Sequence, residues 1–366
     1  MNDLHGLLFA YRADANLGEL TRPRNTCSLP FGGRYRLIDF MLSNYVNAGI
    51  SDVGIIVHQN YQSLLDHLGS GKDWDLSRKH GGLRILPPFG YSGRREGVYR
   101  GRMDALAGVR SYLQYIRQDY VVLAGGDLAV NLPLNDIFEA HIRNDADITA
   151  VCTSRPMGCD YFTIGAGGRI TDVLVHPPIA QGCESLEVYI LSKQLLLSLV
   201  DHCAAHNIPS FSTGVLQAMA GQLKICPYVF DGYAARLQSV AGYFARSMEL
   251  LNPEVRTDLF APGRPVRTKD RSDPSTYYGP GSRAVNSLVA DGCIIEGEVE
   301  NSILFRGVRV EKGAKVCGCV LMQGTAVQAG AVLKYAITDK NVRVNPGRML
   351  MGHNTYPLSI AKNEIV

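Results

Sequence analysis

The sequence predicts an α/β domain with a mostly parallel sheet, followed by a parallel β-helix. Three observations predict it. Short apolar runs alternate with amphipathic stretches in residues 1–252, prolines crowd residues 253–285, and apolar positions repeat every 17 residues within 286–366. Strand-helix alternation is typical of a Rossmann-like sheet covered on both faces, whereas a short repeat without helical period is typical of a β-helix.

The first region contains five predicted buried strands and four predicted helices. The strands are 6–10, 53–57, 120–124, 148–152 and 188–191. The helices are 39–48, 62–68, 103–116 and 134–144. Sheets of this kind bind ligands in the crevice at the carboxyl ends of their strands, so we expect the ligand-binding site there.

The second region is predicted to be an extended linker that crosses the junction between the two domains. A long helix is excluded because proline lacks a backbone donor and clashes with the preceding turn. The prolines are Pro253, Pro262, Pro265, Pro274 and Pro280.

The third region repeats with a constant spacing. Ile303, Val320 and Ile337 are 17 residues apart, and so are two further series, Val310, Val327, Val344 and Gly313, Gly330, Gly347. A coil with Leu288, Cys293 and Ile295 is two residues shorter. One circuit of a triangular β-helix takes about 18 residues, so one corner is shortened. An antiparallel sheet with coincidental spacing is the alternative.

Composition excludes several classes of protein. A net charge of +3 is too small to indicate nucleic acid as a partner. No apolar run reaches the roughly 18 residues of a membrane span, and the first residues do not resemble a signal peptide. The nine cysteines lie mostly in apolar contexts, and Cys317-Gly-Cys319 has no second pair to complete a metal site. We therefore expect a cytoplasmic protein without membrane, nucleic acid or metal.

Several long segments resemble one enzyme family. Residues 30–40 read PFGGRYRLIDF, residues 99–101 read YRG with Asp104 after them, and residues 124–127 read AGGD. They resemble the FGGKYRIIDF, WYRGTADA and AGDHIY segments of ADP-glucose pyrophosphorylase (glucose-1-phosphate adenylyltransferase), and the similarity covers almost the whole chain. The resemblance implies a GT-A-like nucleotidyltransferase domain and a left-handed β-helix.

The same resemblance implies a chemistry that this chain lacks. Active members join glucose-1-phosphate to the α-phosphate of ATP with Mg²⁺, so the protein must supply positive charge and close backbone amides. Their glycine-rich loop, LAGGxGTRL, aligns with residues 9–17, where Tyr11, Arg12 and Asp14 replace glycines and Asn16 replaces the arginine. A Cβ at these positions obstructs a triphosphate.

Other charged positions of the family are also replaced. Thr26 occupies the position of a family lysine, and Arg236 occupies that of the second metal-binding aspartate. His176 replaces the lysine of the family's V-E-K-P segment. The sugar-site D-F-G-K-D segment aligns with residues 210–214, which carry no charge. The metal-binding Asp127 is kept, but a guanidinium at Arg236 repels Mg²⁺. We therefore expect no intact catalytic set, and no bound ATP or Mg²⁺.

Some pocket residues survive and could still hold a ligand, or could simply pack, cap and form salt bridges. They are Tyr99, Arg100, Gly101, Asp104, Gly125, Asp127 and His176. A second set of arginines could bind a phosphate effector. They are Arg22, Arg24, Arg34 and Arg36.

Three functions are consistent with these features. The chain resembles the non-catalytic glycogen-biosynthesis subunit of the GlgD type, which implies a regulatory partner in a heterotetramer with a catalytic homologue, and possible self-association. The alternative is an active nucleotidyltransferase whose pocket is rebuilt around Arg12 and Arg100. An acyltransferase of the β-helix class is disfavoured, because residues 286–347 contain no histidine.

Overall fold

The computed structural model describes residues 3–11, 16–88, 99–177 and 182–366. The N-terminal domain is built on a nine-stranded sheet with two small two-stranded sheets beside it. Its strands are β1 Leu4–Phe9, β2 Pro30–Phe31, β3 Tyr35–Arg36, β4 Asp52–Ile56, β5 Gly82–Leu86, β6 Tyr120–Gly125, β7 Leu128–Val130, β8 Ile148–Thr153, β9 Tyr161–Ile164, β10 Ile170–Leu174, β11 Cys183–Ser192, β12 Ile225–Val229 and β13 Ala234–Arg236.

The main sheet is parallel in one half and mixed in the other, where β12 runs parallel to β8. Strands β5, β4, β1 and β6 are parallel neighbours, as the strand-helix alternation predicts. Strand β11 runs antiparallel to β6, β8 and β9. The reason is local: the chain passes from β8 to β11 through the β9–β10 hairpin, and a parallel return needs a longer crossover.

Helices cover both faces of the sheet and bury two apolar clusters against it. These helices are α1 Leu37–Asn47, α2 Gln62–Leu68, α3 Arg102–Gly108, α4 Arg110–Tyr115, α5 Leu134–Arg143 and α6 Lys193–Ala205. Two further helices, α7 Val240–Glu249 and α8 Pro253–Leu259, pack in a third cluster that includes residues of the β-helix. The predicted helix 103–116 is broken at Val109, whose ψ of 17° leaves the helical range. The other three predicted helices are found within about two residues of their expected ends.

The C-terminal domain is a three-sided β-helix of parallel strands, as predicted for the left-handed class. Leu288, Ile303, Val320 and Ile337 pair in register, so the first step is 15 residues and the next two are 17. Its strands are β14 Tyr277–Tyr278, β15 Arg283–Val285, β16 Leu288–Val289, β17 Ile294–Ile295, β18 Glu298–Glu300, β19 Ile303–Leu304, β20 Arg309–Val310, β21 Lys315–Cys317, β22 Val320–Leu321, β23 Ala326–Val327, β24 Val332–Lys334, β25 Ala336–Thr338, β26 Arg343–Val344, β27 Met349–Met351 and β28 Leu358–Ile360.

The predicted linker 253–285 needs correction at both ends. Its start forms α8, a short helix in which Pro253 takes the first turn and the Asn252 side chain caps the N-terminus. Its end belongs to the β-helix, because β14 and β15 pair with β17 and β18. Between them, residues 260–276 cross the N-terminal domain, where the Arg267 amide donates to Ser43 Oγ at 2.8 Å. In the described ranges no helix is both long and apolar enough to cross a membrane.

Candidate functional site

Three aromatic rings fill the crevice at the carboxyl ends of β1 and β4. Tyr11 follows β1, His58 follows β4, and Tyr99 precedes α3. The Tyr11 ring centroid lies 5.6 Å from that of His58 and 5.9 Å from that of Tyr99. Burial raises the pKa of Tyr11 well above its ordinary value. A bulky, desolvated ring therefore stands where a parallel sheet ordinarily receives its ligand.

The backbone around Tyr11 is engaged within the protein where it is described. The Ala10 amide donates to the Ile56 carbonyl at 2.8 Å, and the Asn16 amide donates to the Gln238 carbonyl at 2.8 Å. Neither amide is directed at a ligand. Residues 12–15, with Arg12 and Asp14, lie outside the described residues, so the lack of free amides along the whole loop 9–17 stays a prediction.

Asp127 belongs to a buried ion network. Its carboxylate lies 3.6 Å from Arg236 Nε, and Arg236 Nη1 lies 3.1 Å from a Glu187 carboxylate oxygen. Arg236 Nη2 donates to the Leu186 carbonyl at 2.9 Å. A second guanidinium, that of Arg102, donates to Glu187 at 2.9 Å. Two arginines thus neutralise two carboxylates at the floor of the crevice.

This network does not fit a magnesium ion. Mg²⁺ needs several oxygen ligands in octahedral geometry and retains waters around it. Here the Asp127 and Arg236 side chains are almost fully buried and face each other. The described residues also contain no cluster of three or more potential metal ligands. The sequence left two roles open for Asp127, ligand binding or a salt bridge. The structure shows the salt bridge.

Glu187 and Arg102 were missed by the sequence analysis, although both carry a detectable signal. Glu187 is a charged residue followed by an apolar run within its strand, and Arg102 directly follows the Tyr-Arg-Gly segment. Glu187 has a φ of 56°, in the region that favours glycine. This backbone conformation costs on the order of 1–3 kcal/mol. The ion pairs with Arg102 and Arg236 offset that cost.

The surviving Tyr-Arg-Gly segment is engaged in packing and capping. Arg100 pairs with Asp104 at 2.7 Å and donates to Asn207 at 2.8 Å. A Cβ on Gly101 would lie 2.3 Å from the Pro209 carbonyl oxygen, so glycine is required by the close approach of the chain. These residues fix the start of α3 against the end of α6.

The remaining predicted pocket residues lie on different elements of the N-terminal domain. Gly125 ends β6, where a Cβ would lie 2.5 Å from the Asp127 carboxylate. Thr26 is buried in a short 3-10 turn, and Asn16 forms a bridge with Ser239. His176 is exposed after β10 with a φ of 45°.

The four candidate effector arginines have different environments. Arg22 is 77% exposed and pairs with Glu19 of the same turn. Arg24 is buried and pairs with Asp339 of the β-helix at 2.9 and 3.0 Å, so it joins the domains and is not available to an effector. The side chains of Arg34 and Arg36 line a cleft of about 390 Å³ between the domains.

This interdomain cleft is strongly basic. It is walled by the β2–β3 hairpin, residues 268–271 and the corners of the β-helix. A single carboxylate, that of Asp66, is among its lining side chains. The cations that line it are Arg34, Arg36, Lys269, Arg271, Arg306 and Lys340.

The cleft holds a buried cation whose carboxylate contacts are long, because Arg306 Nε lies 3.8 Å from Asp273 and 3.9 Å from Asp291. Arg306 is 6% exposed, and its Nη2 has no hydrogen-bond partner in the part of the chain that is described. Burial and the nearby Arg34 lower the pKa of Arg306. Burial and Arg36 lower the pKa of Lys340 to about 7, and burial lowers the pKa of Arg36 to about 10. An anion would relieve this repulsion, so the cleft is a candidate anion site.

Comparisons with known proteins match both domains. A nucleotidyl transferase family model matches residues 15–160, and a GlmU-like C-terminal hexapeptide model matches residues 276–356. The second match starts beside Tyr277, where the strands of the β-helix begin.

Individual relatives cover most of the chain. The glycogen biosynthesis protein GlgD of Bacillus subtilis is 36% identical over 365 residues, 99% of this chain and 96% of that protein. GlgD of Geobacillus stearothermophilus is 38% identical over 86% of this chain and 83% of its own length. A glucose-1-phosphate adenylyltransferase of Thermotoga neapolitana is 32% identical over 86% of this chain and 77% of its own length.

Proposed function

The chain belongs to the family of GlgD glycogen biosynthesis proteins and glucose-1-phosphate adenylyltransferases, and we propose that it is a non-catalytic, regulatory member. It would act in glycogen biosynthesis as the partner of a catalytic homologue that makes ADP-glucose. The observation that carries the proposal is the pairing of Arg236 with Asp127 and Glu187 in the crevice.

The closed crevice supports the loss of catalysis. The Asp127–Arg236 pair cannot serve as a magnesium site, and Tyr11 fills the end of β1. Removing one group that stabilises developing charge typically costs about 10²–10³ in rate, so several losses leave little activity. The alternative, a rebuilt active pocket, relied on Arg12 and Arg100. Arg100 is paired with Asp104, and Arg12 lies outside the described residues.

The basic cleft supports a regulatory role. It lies between the two domains and contains the buried Arg306 guanidinium, whose Nη2 has no hydrogen-bond partner among the described residues. An anionic effector bound there would contact both domains at once and bias their relative position. We therefore include binding of a phosphorylated effector at this cleft in the proposal, with Arg306, Arg36 and Lys340 as its main contacts.

The first experiment measures ADP-glucose formation from ATP, glucose-1-phosphate and Mg²⁺. The purified chain alone should give no significant turnover, whereas a turnover of about 1 s⁻¹ or more would contradict the proposal. Mixed with a catalytic glucose-1-phosphate adenylyltransferase subunit from the same cell, it should co-purify as a heterotetramer. It should also raise the rate of that subunit or change its effector response.

A matched pair of variants tests the cleft within that complex. Arg306→Ala removes a buried cation from the cleft, so the effector response conferred by this chain should fall at least tenfold in sensitivity. Arg22→Ala removes a 77% exposed arginine outside the cleft lining and should leave the response unchanged. Equal responses of the two variants would rule out the cleft as the effector site.

Cytoplasmic location is part of the same proposal. All nine cysteines are free thiols, and most are buried. Free thiols in this number are typical of a reducing compartment.

A further inference from the structure

A polar pocket opens at the end of the main sheet opposite the crevice. It lies at the amino ends of β4 and β5, beside the end of α4, and has a volume of about 260 Å³. That is slightly below the range of about 300–1,000 Å³ for sites of drug-sized ligands, so it suits a small molecule. We call it the basal pocket. Its lining includes Asp52, Lys79, Arg84, Tyr112, Arg117 and Gln118, and among the described residues it shares none with the basic cleft.

The basal pocket is lined by cations that the rest of the protein leaves unpaired. Lys79, Arg84 and Arg117 form no salt bridge with another residue that the structure describes. By contrast, the neighbouring Arg78, outside the lining, pairs with Asp75. Lys79 and Arg84 belong to β5 and the loop before it, whereas Arg117 follows α4, so positive charge reaches the pocket from two elements. Such a convergence of lysine and arginine side chains is typical of a phosphate site.

The wall that carries Arg84 is fixed from below by a buried contact. The Tyr112 hydroxyl lies 3.1 Å from His5 Nε2, and His5 is 0% exposed. The Arg84 guanidinium lies over the Tyr112 ring, 5.9 Å from its centroid, within the reach of a cation–π interaction. Burial and the charge of Arg84 lower the pKa of His5 to about 3, so His5 stays neutral. Arg84 is therefore held in place by groups that need no ligand.

The basal pocket also contains hydrogen-bond acceptors that lack donors. Asp52 Oδ1 and Gln118 Oε1 are buried atoms with no hydrogen-bond partner among the described residues. The Asp52 carboxylate lies 3.9 Å from His5 Nδ1, beyond hydrogen-bond distance. Burial raises the pKa of the Asp52 carboxyl, so the carboxylate is partly desolvated. A buried acceptor without a donor costs free energy, and ligand hydroxyls would remove that cost.

We propose that the basal pocket binds a small phosphorylated polyol, whose phosphate contacts the cations and whose hydroxyls donate to Asp52 and Gln118. A bare anion would leave both acceptors without donors and would face the Asp52 carboxylate. A neutral polyol would leave the cations unpaired. A ligand that carries both groups satisfies all of these side chains at once. This site goes beyond the proposed function, because it is separate from the crevice and from the basic cleft.

Calorimetric titration of the full chain tests the ligand class. The Arg306→Ala variant is used throughout, because it weakens anion binding at the basic cleft and leaves the basal pocket unchanged. Glycerol-3-phosphate should bind at one site, at least about tenfold more tightly than inorganic phosphate or glycerol, since it alone satisfies both sets of groups. No binding of glycerol-3-phosphate, or an equal affinity for inorganic phosphate, would overturn the proposal.

A matched pair of arginine variants locates the site. Arg84→Gln removes a cation from the basal pocket and should weaken glycerol-3-phosphate binding at least about tenfold. Arg78→Gln removes a nearby arginine outside the lining and should change the affinity less than about twofold. If the two variants bind equally well, the ligand lies elsewhere and the proposal fails.

Asp52→Val tests the acceptor, because it removes both carboxylate oxygens and keeps a side chain suited to a strand. The preference for glycerol-3-phosphate over inorganic phosphate should fall below about threefold, because the hydroxyls lose a charged acceptor. Inorganic phosphate should bind at least as tightly as before, since a like charge is gone. An unchanged preference would contradict the role of Asp52.

The melting temperature of each variant confirms folding, and Gln118→Met repeats the acceptor test at a partly exposed position if Asp52→Val does not fold. Loss of the preference in Gln118→Met supports the proposal, and an unchanged preference contradicts it. These measurements involve neither ADP-glucose formation nor a catalytic partner. Their failure therefore leaves the proposed regulatory role standing.

Discussion

At the scale of single residues, the charged side chains in the crevice pair with each other. A catalytic crevice leaves its charges available to substrate and metal, whereas here Asp127, Glu187, Arg102 and Arg236 neutralise each other. Buried charges of this kind are tolerated only when they are paired. The network therefore stabilises the fold and leaves the Asp127 carboxylate engaged with Arg236.

Arg236→Met tests this role. It leaves the buried Asp127 carboxylate without its guanidinium, so the free energy of unfolding should fall by about 3–5 kcal/mol in urea denaturation. Arg22→Met, at a 77% exposed side chain, should change it by less than about 0.5 kcal/mol. A loss below about 1 kcal/mol for Arg236→Met would show that the network is not needed for stability.

The pKa of Lys340 predicts a pH-dependent cleft. With a pKa of about 7, Lys340 is largely neutral at pH 9 and charged at pH 6. An anion binds the charged form better, so sulfate affinity should fall as pH rises above 7, by up to about one decade per unit. Sulfate keeps its own charge over this range. Calorimetric titration at several pH values measures the effect.

Lys340→Met should flatten this pH profile, because the titrating ammonium is gone. The control Lys312→Met lies on the β-helix outside the cleft lining and should keep the profile of the wild type. His67 also lines the cleft and bonds Asp39 at 2.6 Å. A profile that survives unchanged in Lys340→Met would show that the assignment to Lys340 is wrong.

At the scale of elements, the β-helix depends on its turns as much as on its apolar positions. Gly330 has a φ of 68° and open space around its missing Cβ. Gly297 instead faces the Ala314 carbonyl oxygen, which a Cβ would approach to 2.4 Å. The first glycine is required by backbone conformation, and the second by the close approach of the next coil.

The two glycines should therefore respond differently to substitution. Gly330→Ala should cost about 1 kcal/mol, and Gly330→Asn less, because asparagine tolerates positive φ. Gly297→Ala should cost about 3 kcal/mol, because two backbone segments must separate. Thermal or urea unfolding of the three variants measures how much stability each one loses. Equal losses for Gly297→Ala and Gly330→Ala would contradict the steric argument.

At the scale of the whole molecule, one buried ion pair ties the two domains together. Arg24 and Asp339 are 315 residues apart and 2% and 0% exposed. Their contact closes one end of the domain junction, next to Lys340 in the basic cleft. The geometry of the cleft therefore depends on this pair.

A double-mutant cycle measures its strength. Arg24→Met and Asp339→Asn should each lower the free energy of unfolding by about 3–5 kcal/mol, since each leaves a buried partner unpaired. The double variant should lose clearly less than the sum, with a coupling of about 2 kcal/mol. Additive losses would show that the two side chains do not act as a pair.

The sequence by itself determined the features that depend on local periodicity. The strand-helix alternation, the register of the β-helix and its shorter first step all follow from spacings along the chain. The replacements at Tyr11, Asn16 and Arg236 are also visible there. Such patterns are local, because side-chain direction repeats with a fixed period in each secondary structure.

Only the tertiary structure decided how distant charges are paired. Arg24 and Arg36 look alike in the sequence, yet the first is bound to Asp339 and the second lines the basic cleft. Glu187 gained its role through Arg102 and Arg236, which lie 85 and 49 positions away. A long-range contact has no period along the chain. The tertiary structure therefore decides whether a charged side chain is already paired or is available to a ligand.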